Sequence, residues 1–258
     1  MRRSLSEYAG ALSCYLREGV FTQGILRTFP MGSSLLIHFP NTLKHLLRRR
    51  GVYERALRLL ARLPLDIRLH SSRVATLSLR TAQKMNLEKT ALKRTYLAGI
   101  YHDIGKVWIK KDILTKPHSL TPDEYEHVKQ HAWLGAHCVQ IYLALPDVAD
   151  IVLHHHERID GKGYPVGLSG EEIPLESRVI AVADAYDAMV GGPGGSSRQY
   201  RPKRTREEAL RELIKGAGQQ FDSEVVKAFC ELMEEKVSLF KKFSGRLRKE
   251  ESMAESAG

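Results

Sequence analysis

The sequence predicts an all-α fold, in which a bundle of helices encloses an apolar core. Apolar residues recur at helical spacing through most of the 258-residue chain, whereas the alternating pattern of a half-buried strand is nearly absent. Hydrophobic residues make up 43% of the sequence and charged residues 27%, the balance of a globular chain that buries a core. No apolar run approaches the roughly 18 residues of a membrane-spanning helix, so no membrane span is expected.

The cysteines and the net charge limit the classes of function. Cys14, Cys138 and Cys230 are far apart and form no CxxC pair, which favours reduced thiols and a cytoplasmic protein. Metal ligands, if the chain has them, are then expected among histidines and carboxylates. The net charge of +10 favours an anionic partner. No nucleic-acid-binding module or pattern of interleaved aromatics is visible, so we expect no nucleic-acid polymer as that partner.

Residues 1–63 are predicted to form a small helical N-terminal module. Leu5, Leu12 and Leu16 recur at helical spacing, as do Leu43 and Leu47. These residues carry no recognisable chemistry. Dimerisation and signal input are the two roles that we consider for the module, and a homodimer is therefore a candidate assembly.

Residues 64–240 are predicted to form the main helical domain. Pro64 suits the first turn of a helix that runs to about Met85. Thr121 and Pro122 have the hydroxyl and the imino acid of another helix start. After the first helix, the predicted helices cover 92–104, 121–145, 146–156, 174–189, 205–216 and 223–236. Residues 241–258 are basic, then small and polar, and are predicted to be disordered.

Histidines and carboxylates at several points of this domain predict a metal site. Three consecutive histidines end at His156 and precede a turn rich in Gly and Pro, and neutral imidazole is the commonest protein metal ligand. His102 and Asp103 are adjacent at the end of a predicted helix, and Lys106 follows within a turn. Taken alone, His and Lys at a helix C-terminus are equally explained by the helix dipole.

Ligand types on the other helices favour the metal site over that alternative. They are His70, His131, His155, His156 and Asp184. With His102 and Asp103, the set exceeds what one ion needs, so two or more metals are implied. A carboxylate such as Asp103 can bridge two ions, an arrangement suited to phosphoester hydrolysis.

The order and spacing of these residues resemble the HD-GYP domain, the branch of the HD phosphohydrolase superfamily that hydrolyses cyclic di-GMP. The resemblance covers residues 64 to 235. It rests on His70-Ser71-Ser72-Arg73-Val74, His102-Asp103-Ile104-Gly105-Lys106, Lys116-Pro117, Leu120-Thr121, His131, His155-His156-Glu157-Arg158, Asp160-Gly161-Lys162-Gly163-Tyr164-Pro165 and Asp184-Ala185-Tyr186-Asp187-Ala188.

The resemblance implies a phosphodiesterase that opens cyclic di-GMP to linear pGpG by in-line attack of a metal-bridging hydroxide, with further cleavage to GMP left open. The implied ions are iron or manganese, two or three in number. A third ion depends on Asp66, one turn before His70, where many such domains carry the longer Glu. Lys106 is expected to contact the scissile phosphate or assist the leaving group. The implied metal ligands are Asp66, His70, His102, Asp103, His131, His155, His156 and Asp184.

Two further segments are expected at the rim of the site. The family's Arg-Pro-Tyr-Arg/Lys segment appears as Arg198-Gln199-Tyr200-Arg201, displaced by a Gly-rich run at 191–197. Arg198 and Arg201 are the candidate phosphate clamp, because guanidinium suits bidentate phosphate contacts. The motif loop is expected to shape the rim, braced by an Arg158–Asp160 interaction, and is a candidate docking surface for a diguanylate cyclase. Its motif residues are Asp160, Gly161, Gly163, Tyr164 and Pro165.

Two alternatives to this enzyme stay open. The first keeps the metals and changes the substrate to another nucleotide, as in the wider HD superfamily. The second is a regulatory protein that binds cyclic di-GMP with little or no turnover. The altered segment around Arg198 favours this second alternative, because it departs from the family pattern at the expected clamp.

Overall fold

A computed structural model describes residues 50–191 and 203–234 of the chain. Predictions for residues 1–49, for Arg198 and Arg201, and for the tail 241–258 lie outside the described residues. Within them, every regular element is a helix, apart from one isolated bridge between Ala217 and Phe221. The all-α prediction is confirmed. None of the described helices is both long and apolar enough to span a membrane.

The helices follow one another closely along the chain. Two short 3₁₀ helices, Ile104–Trp108 and Gly170–Glu172, lie between α-helices. The α-helices are α1 Arg50–Arg62, α2 Leu65–Lys84, α3 Lys89–Tyr101, α4 Lys111–Leu114, α5 Pro122–Tyr142, α6 Pro146–Leu153, α7 Leu175–Val190, α8 Arg206–Gly216 and α9, described over 223–234.

Local sequence sets several of these helix starts. The Thr121 side chain accepts a hydrogen bond from the backbone N–H of Glu124, and the Glu124 carboxylate accepts one from the backbone N–H of Thr121. Thr205 and Glu208 form the same capping box at α8. Each box satisfies two backbone groups that a helix N-terminus otherwise leaves unpaired. These starts lie within one residue of the predicted ones.

Three predicted helix ends are wrong. Helix α5 ends at Tyr142 rather than at residue 145, and the other two corrections affect candidate ligands. Helix α3 ends at Tyr101 rather than at residue 104, and α6 ends at Leu153 rather than at residue 156. His102 and Asp103 therefore follow the end of α3, and the histidine pair follows the end of α6. Side chains just past a helix end project from a turn, where the backbone can aim adjacent residues at one point. The predicted loop 110–118 also contains the short helix α4.

The core lies where α2, α3, α5, α6 and α7 meet. Helix α2 packs against α3 and α7, while α5 packs against α6 and the 3₁₀ turn at Ile104–Trp108. Tyr101, Ile180 and Phe229 are among the largest fully buried side chains. The described residues from Arg55 onward belong to one compact unit. In that unit Ala56 and Leu60 of α1 are buried, and the predicted domain boundary after residue 63 stays a prediction.

The turn after α3 lies directly against the backbone of α5. A Cβ atom at Gly105 would lie 1.9 Å from the carbonyl oxygen of His131 and 2.7 Å from the backbone nitrogen of Gly135. Real Cβ atoms do not make contacts this short, so only glycine allows the two segments to approach this closely. This approach brings the residues around Asp103 next to His131.

Candidate metal centre

Two groups of ligand-type side chains converge at one place in the helical bundle. His70 of α2, His102 after α3 and Asp184 of α7 form the first group. His131 of α5 and the adjacent His155 and His156 after α6 form the second. Within each group, the candidate ligand atoms all lie within 4.8 Å of one another. With Asp103, seven of the eight predicted ligands thus come together from helices α2, α5 and α7 and from the turns that follow α3 and α6.

Asp103 lies between the two groups, with one carboxylate oxygen toward each. Its Oδ2 atom is 3.5 Å from Nε2 of His102 and 3.9 Å from Nε2 of His70. Its Oδ1 atom is 3.5 Å from Nε2 of His131. A carboxylate in this position can bind one ion through each oxygen, which supports the bridging role predicted for Asp103.

Backbone carbonyls fix the orientation of three of the imidazoles. The Nδ1 atoms of His102, His131 and His155 each lie 2.6 to 2.8 Å from the carbonyl oxygen three residues earlier in the chain. A carbonyl only accepts hydrogen bonds, so Nδ1 carries the proton and the Nε2 lone pair points into the site. Metal-binding histidines in proteins are held by the same kind of outer contact.

The positions of the buried imidazole nitrogens suit binding to a cation better than hydrogen bonding to one another. Nε2 of His131 is 3.4 Å from Nε2 of His155 and 3.2 Å from Nε2 of His156, so lone pairs face each other. Nε2 of His102 is buried and has no hydrogen-bond partner among the described residues. A buried nitrogen without a partner is costly, and a divalent cation satisfies several of them together. Imidazole and carboxylate ligands suit first-row transition metals.

Burial and the neighbouring charges separate the pKa values of these histidines. Burial lowers the pKa of His131 to about 4 and that of His155 to about 3, and it lowers the pKa of His156 well below 6.5. These rings are neutral at pH 7, as metal binding requires. At His70 burial also lowers the pKa, but hydrogen bonds that the ring donates to the carboxylates of Asp184 and Asp187 outweigh it and raise the pKa to about 9. Those carboxylates favour positive charge at this ring, and a cation on Nε2 supplies it.

Asp187 contacts His70 on its Nδ1 side, opposite the Nε2 atom that faces the site, and the sequence analysis missed this role. Its Oδ2 accepts from Nδ1 of His70 at 2.7 Å, and Arg73 donates to both of its oxygens at 2.7 and 2.9 Å. Asp184 faces Nε2 of the same ring at 2.9 Å. The three-residue spacing of the two aspartates on α7 places them on one helix face, and this was the signal available in the sequence.

Lys106 and Asp66 face the same cavity in different ways. The Lys106 ammonium donates to Oδ2 of Asp103 at 2.6 Å. Burial raises the pKa of Asp103, but Lys106 and the surrounding histidines more than compensate and hold it well below the usual value. Asp66 lines the cavity and belongs to neither ligand group. Its role as a ligand of a third ion stays a prediction.

The Gly-Tyr-Pro loop forms part of the cavity rim. Arg158 donates to both carboxylate oxygens of Asp160 at 2.9 and 2.7 Å, so the expected brace is confirmed. Glu157, almost fully buried, accepts from the backbone N–H groups of Val166 and Gly167. This second brace was missed, because nothing in the sequence distinguishes Glu157 from an ordinary exposed glutamate. Tyr164 and Pro165 are joined by a cis peptide bond.

The first histidine of the triplet is outside the ligand groups. Nδ1 of His154 lies 2.9 Å from the Asp150 carbonyl oxygen and 3.3 Å from the Asp150 carboxylate. This agrees with the sequence analysis, which left His154 out of the ligand set. Only the two rings after it reach the site, because the helix has ended and the turn directs them differently.

Comparisons with known proteins agree with this geometry. A family model described as "HD domain" matches residues 54–225. A cyclic di-GMP phosphodiesterase of Thermotoga maritima is 40% identical over 175 residues, which cover 67% of this chain and 46% of the relative. A probable cyclic di-GMP phosphodiesterase of Vibrio cholerae is 38% identical over 187 residues, which cover 68% of this chain and 41% of the relative. The chain thus spans less than half the length of these relatives.

A solved structure shares the fold. Bd1817 from Bdellovibrio bacteriovorus, described as an HDG"Y"P protein, superposes with a TM-score of 0.54 at 22% identity. The match covers 65% of this chain and 52% of that chain. At this identity the likeness supports the architecture alone. The family model, in contrast, spans most of the chain, and the chain therefore belongs to the HD domain family, in which its resemblance to HD-GYP domains is confirmed.

Proposed function

We propose that this chain is a metal-dependent phosphodiesterase that hydrolyses cyclic di-GMP to linear pGpG. The observation that carries the proposal is the pair of ligand groups on either side of the Asp103 carboxylate, in the wall of an open cavity. Two relatives that are 38–40% identical are named as cyclic di-GMP phosphodiesterases, which supports the choice of substrate.

The cavity suits a cyclic dinucleotide in size and charge. Its volume is about 540 Å³, within the range of small-molecule sites. The basic side chains that line it are Lys106, Lys116, Lys129, Arg158 and Lys162. The wall also carries the carboxylates of Asp66, Asp103, Glu157 and Asp184, so the basic side chains together with bound cations would supply the positive charge that attracts a substrate with two phosphodiesters.

The protein's own residues would hold the ions and place the substrate. His70, His102 and Asp184 would bind one ion and the other three histidines the second, with Asp103 shared. When bound, such ions lower the pKa of water and neutralise phosphoryl oxygens. Lys106 lies beside Asp103 and lines the cavity, which supports our proposal that its ammonium binds an oxygen of the scissile phosphate.

Two ions, iron or manganese, are the occupancy that we propose. Imidazole with carboxylate and without thiolate is the ligand set here, and it suits these metals. A third ion would need Asp66, whose carboxylate lines the cavity apart from both groups. Cleavage of pGpG to GMP, a cytoplasmic location, a homodimer and docking of a diguanylate cyclase on the Gly-Tyr-Pro loop stay predictions.

The deciding experiment combines metal counting with product analysis. The protein is purified without oxygen, loaded with iron or manganese, and assayed on cyclic di-GMP and a panel of other nucleotides. We expect conversion of cyclic di-GMP to pGpG, and loss of activity in His102→Ala and Asp103→Ala variants that remain folded. An unchanged rate in either variant refutes the metal site. If the fully metal-loaded protein binds cyclic di-GMP but forms no product, the regulatory alternative is favoured. If it turns over another nucleotide faster than cyclic di-GMP, the alternative with a different nucleotide substrate is favoured.

A further inference from the structure

One lysine in the cavity wall is placed between two aromatic rings. The Lys129 ammonium lies 5.0 Å from the ring centroid of Tyr125 and 5.5 Å from that of Tyr164. All three side chains line the cavity, and they join α5 to the Gly-Tyr-Pro loop. Ammonium groups within about 6 Å of an aromatic face are attracted to it, so the two rings help to fix the position of this charge.

Two other lysines of the cavity wall are bound to carboxylates that the fold holds in place. Lys106 is bound to buried Asp103, and Lys116 donates to both carboxylate oxygens of Glu124, which also caps α5. Lys129 pairs at 2.5 Å with Glu126, whose side chain is 66% exposed. Exposed ion pairs contribute little free energy, so Lys129 can exchange this partner for a ligand at low cost.

The surroundings of Lys129 suit a purine base. Tyr125 is 45% exposed although it is a large aromatic residue, and the Tyr164 ring packs against the His156 ring at 4.8 Å. Aromatic side chains facing a nucleotide cavity are stacking surfaces for bases. The ammonium lies over both ring faces, so a base that enters this part of the cavity meets the ammonium before it meets a ring face.

We infer that Lys129 is a specificity-determining residue that selects guanine over adenine in the bound dinucleotide. An ammonium has three donors and no acceptor. Guanine presents two acceptors, O6 and N7, on one edge, whereas adenine presents the N7 acceptor beside an N6 amino donor. The ammonium therefore gains a bidentate partner from guanine and meets a second donor in adenine. This inference rests on the proposed function, because it assigns the base recognition of the same cavity.

A binding role toward phosphate would give a different pattern of losses. Every cyclic dinucleotide has the same two phosphodiesters, so a phosphate contact at Lys129 would serve guanine and adenine substrates equally. The ratio of kcat/KM on a guanine dinucleotide to kcat/KM on an adenine dinucleotide therefore separates base recognition from phosphate binding, whatever the absolute rates are.

The test compares Lys129→Met and Lys129→Arg with the matched control Lys110→Met. Lys110 is exposed and lies outside the cavity lining. For each metal-loaded protein, kcat/KM is measured on cyclic di-GMP, cyclic di-AMP and the base-free diester bis(p-nitrophenyl) phosphate. Dissociation constants of both dinucleotides and the metal content are measured in parallel.

Lys129→Met is expected to lower kcat/KM on cyclic di-GMP by about 10- to 100-fold, the range for one lost hydrogen bond to a charged group. Its metal content should stay at the wild-type level. Its kcat/KM on cyclic di-AMP and on the base-free diester should fall by about threefold at most, the loss expected for one exposed charge, and Lys129→Arg should keep most of the guanine preference. Equal losses on both dinucleotides, an unchanged ratio, or a wild-type protein without guanine preference overturns the inference. If the wild type binds cyclic di-GMP without hydrolysing it, the proposed function fails, and the ratio of dissociation constants decides the role of Lys129.

Discussion

Replacement of Asp187 by Asn should weaken metal binding on one side of the site only. The carboxylate is 3% exposed and makes three charged contacts, one to Nδ1 of His70 and two to Arg73. An amide of the same size has one acceptor oxygen in place of two. Its NH₂ group must then face a donor, either the His70 ring or the guanidinium. The substitution therefore loosens the ring whose Nε2 faces Asp184.

The magnitude follows from the kind of contact that is lost. Outer partners of metal-binding histidines typically contribute 10- to 100-fold in affinity, which corresponds to about 1.4–2.7 kcal/mol. We expect the Asp187→Asn variant to lose this much affinity at the group of His70, His102 and Asp184. The group of His131, His155 and His156 makes no described contact with Asp187 and is linked to the first group only through the shared Asp103, so its affinity should fall by much less than that of the first group.

The assay is a calorimetric titration of the chelated protein with Mn²⁺, together with metal counting after dialysis. Glu176→Gln is the matched control, because Glu176 lies on the same helix and forms an ion pair with Arg94 at 2.6 Å. This control should bind both ions as the wild type does. Equal weakening of both sites in Asp187→Asn, or no weakening at all, would refute the assignment of Asp187 as the residue that positions His70.

Two further predictions concern stability. Gly105→Ala should destabilise the fold by about 3 kcal/mol or more, because the new Cβ would lie 1.9 Å from the His131 carbonyl oxygen and a well-packed core does not absorb such overlap. The free energy of unfolding, measured in urea, checks this. Acidification from pH 6.5 to 4 should destabilise the chelated protein by about 3 kcal/mol through His131 alone, and denaturant unfolding across this range checks it. Burial lowers the pKa of His131 from 6.5 to about 4, so the unfolded chain binds more protons in this window.

Each of these has an internal control. Gly135→Ala meets its nearest neighbour at 3.2 Å and gains helix propensity within α5, so it should cost much less than Gly105→Ala. Equal losses in the two variants would contradict the close approach. For the pH dependence, His131→Gln should reduce the slope of stability against pH between 4 and 6.5. A stability that is flat across this window in the chelated wild type would show that His131 is protonated in the folded state.

The fold and the ligand types were predictable because short stretches of sequence determine them. Helical periodicity, capping residues such as Thr121, and Pro at helix starts act within a few residues of chain. The family motifs are equally local, and each supplies one or two ligand types at fixed spacing. The wrong helix ends at the candidate ligands followed from the same rules, since histidine after an apolar run does not itself mark where the last helical hydrogen bond lies.

The sequence by itself determined that this chain is all-α and which family it belongs to, and it predicted that its histidines and aspartates form a metal site. The tertiary structure decided how those ligands divide into two groups, with one oxygen of Asp103 toward each. It also decided that Asp187 holds His70 across 117 residues of chain, and that Lys129 lies between the rings of Tyr125 and Tyr164. These contacts join residues that are distant in sequence. They are set by how the helices pack against one another, because no local pattern specifies which faces of separate helices will meet.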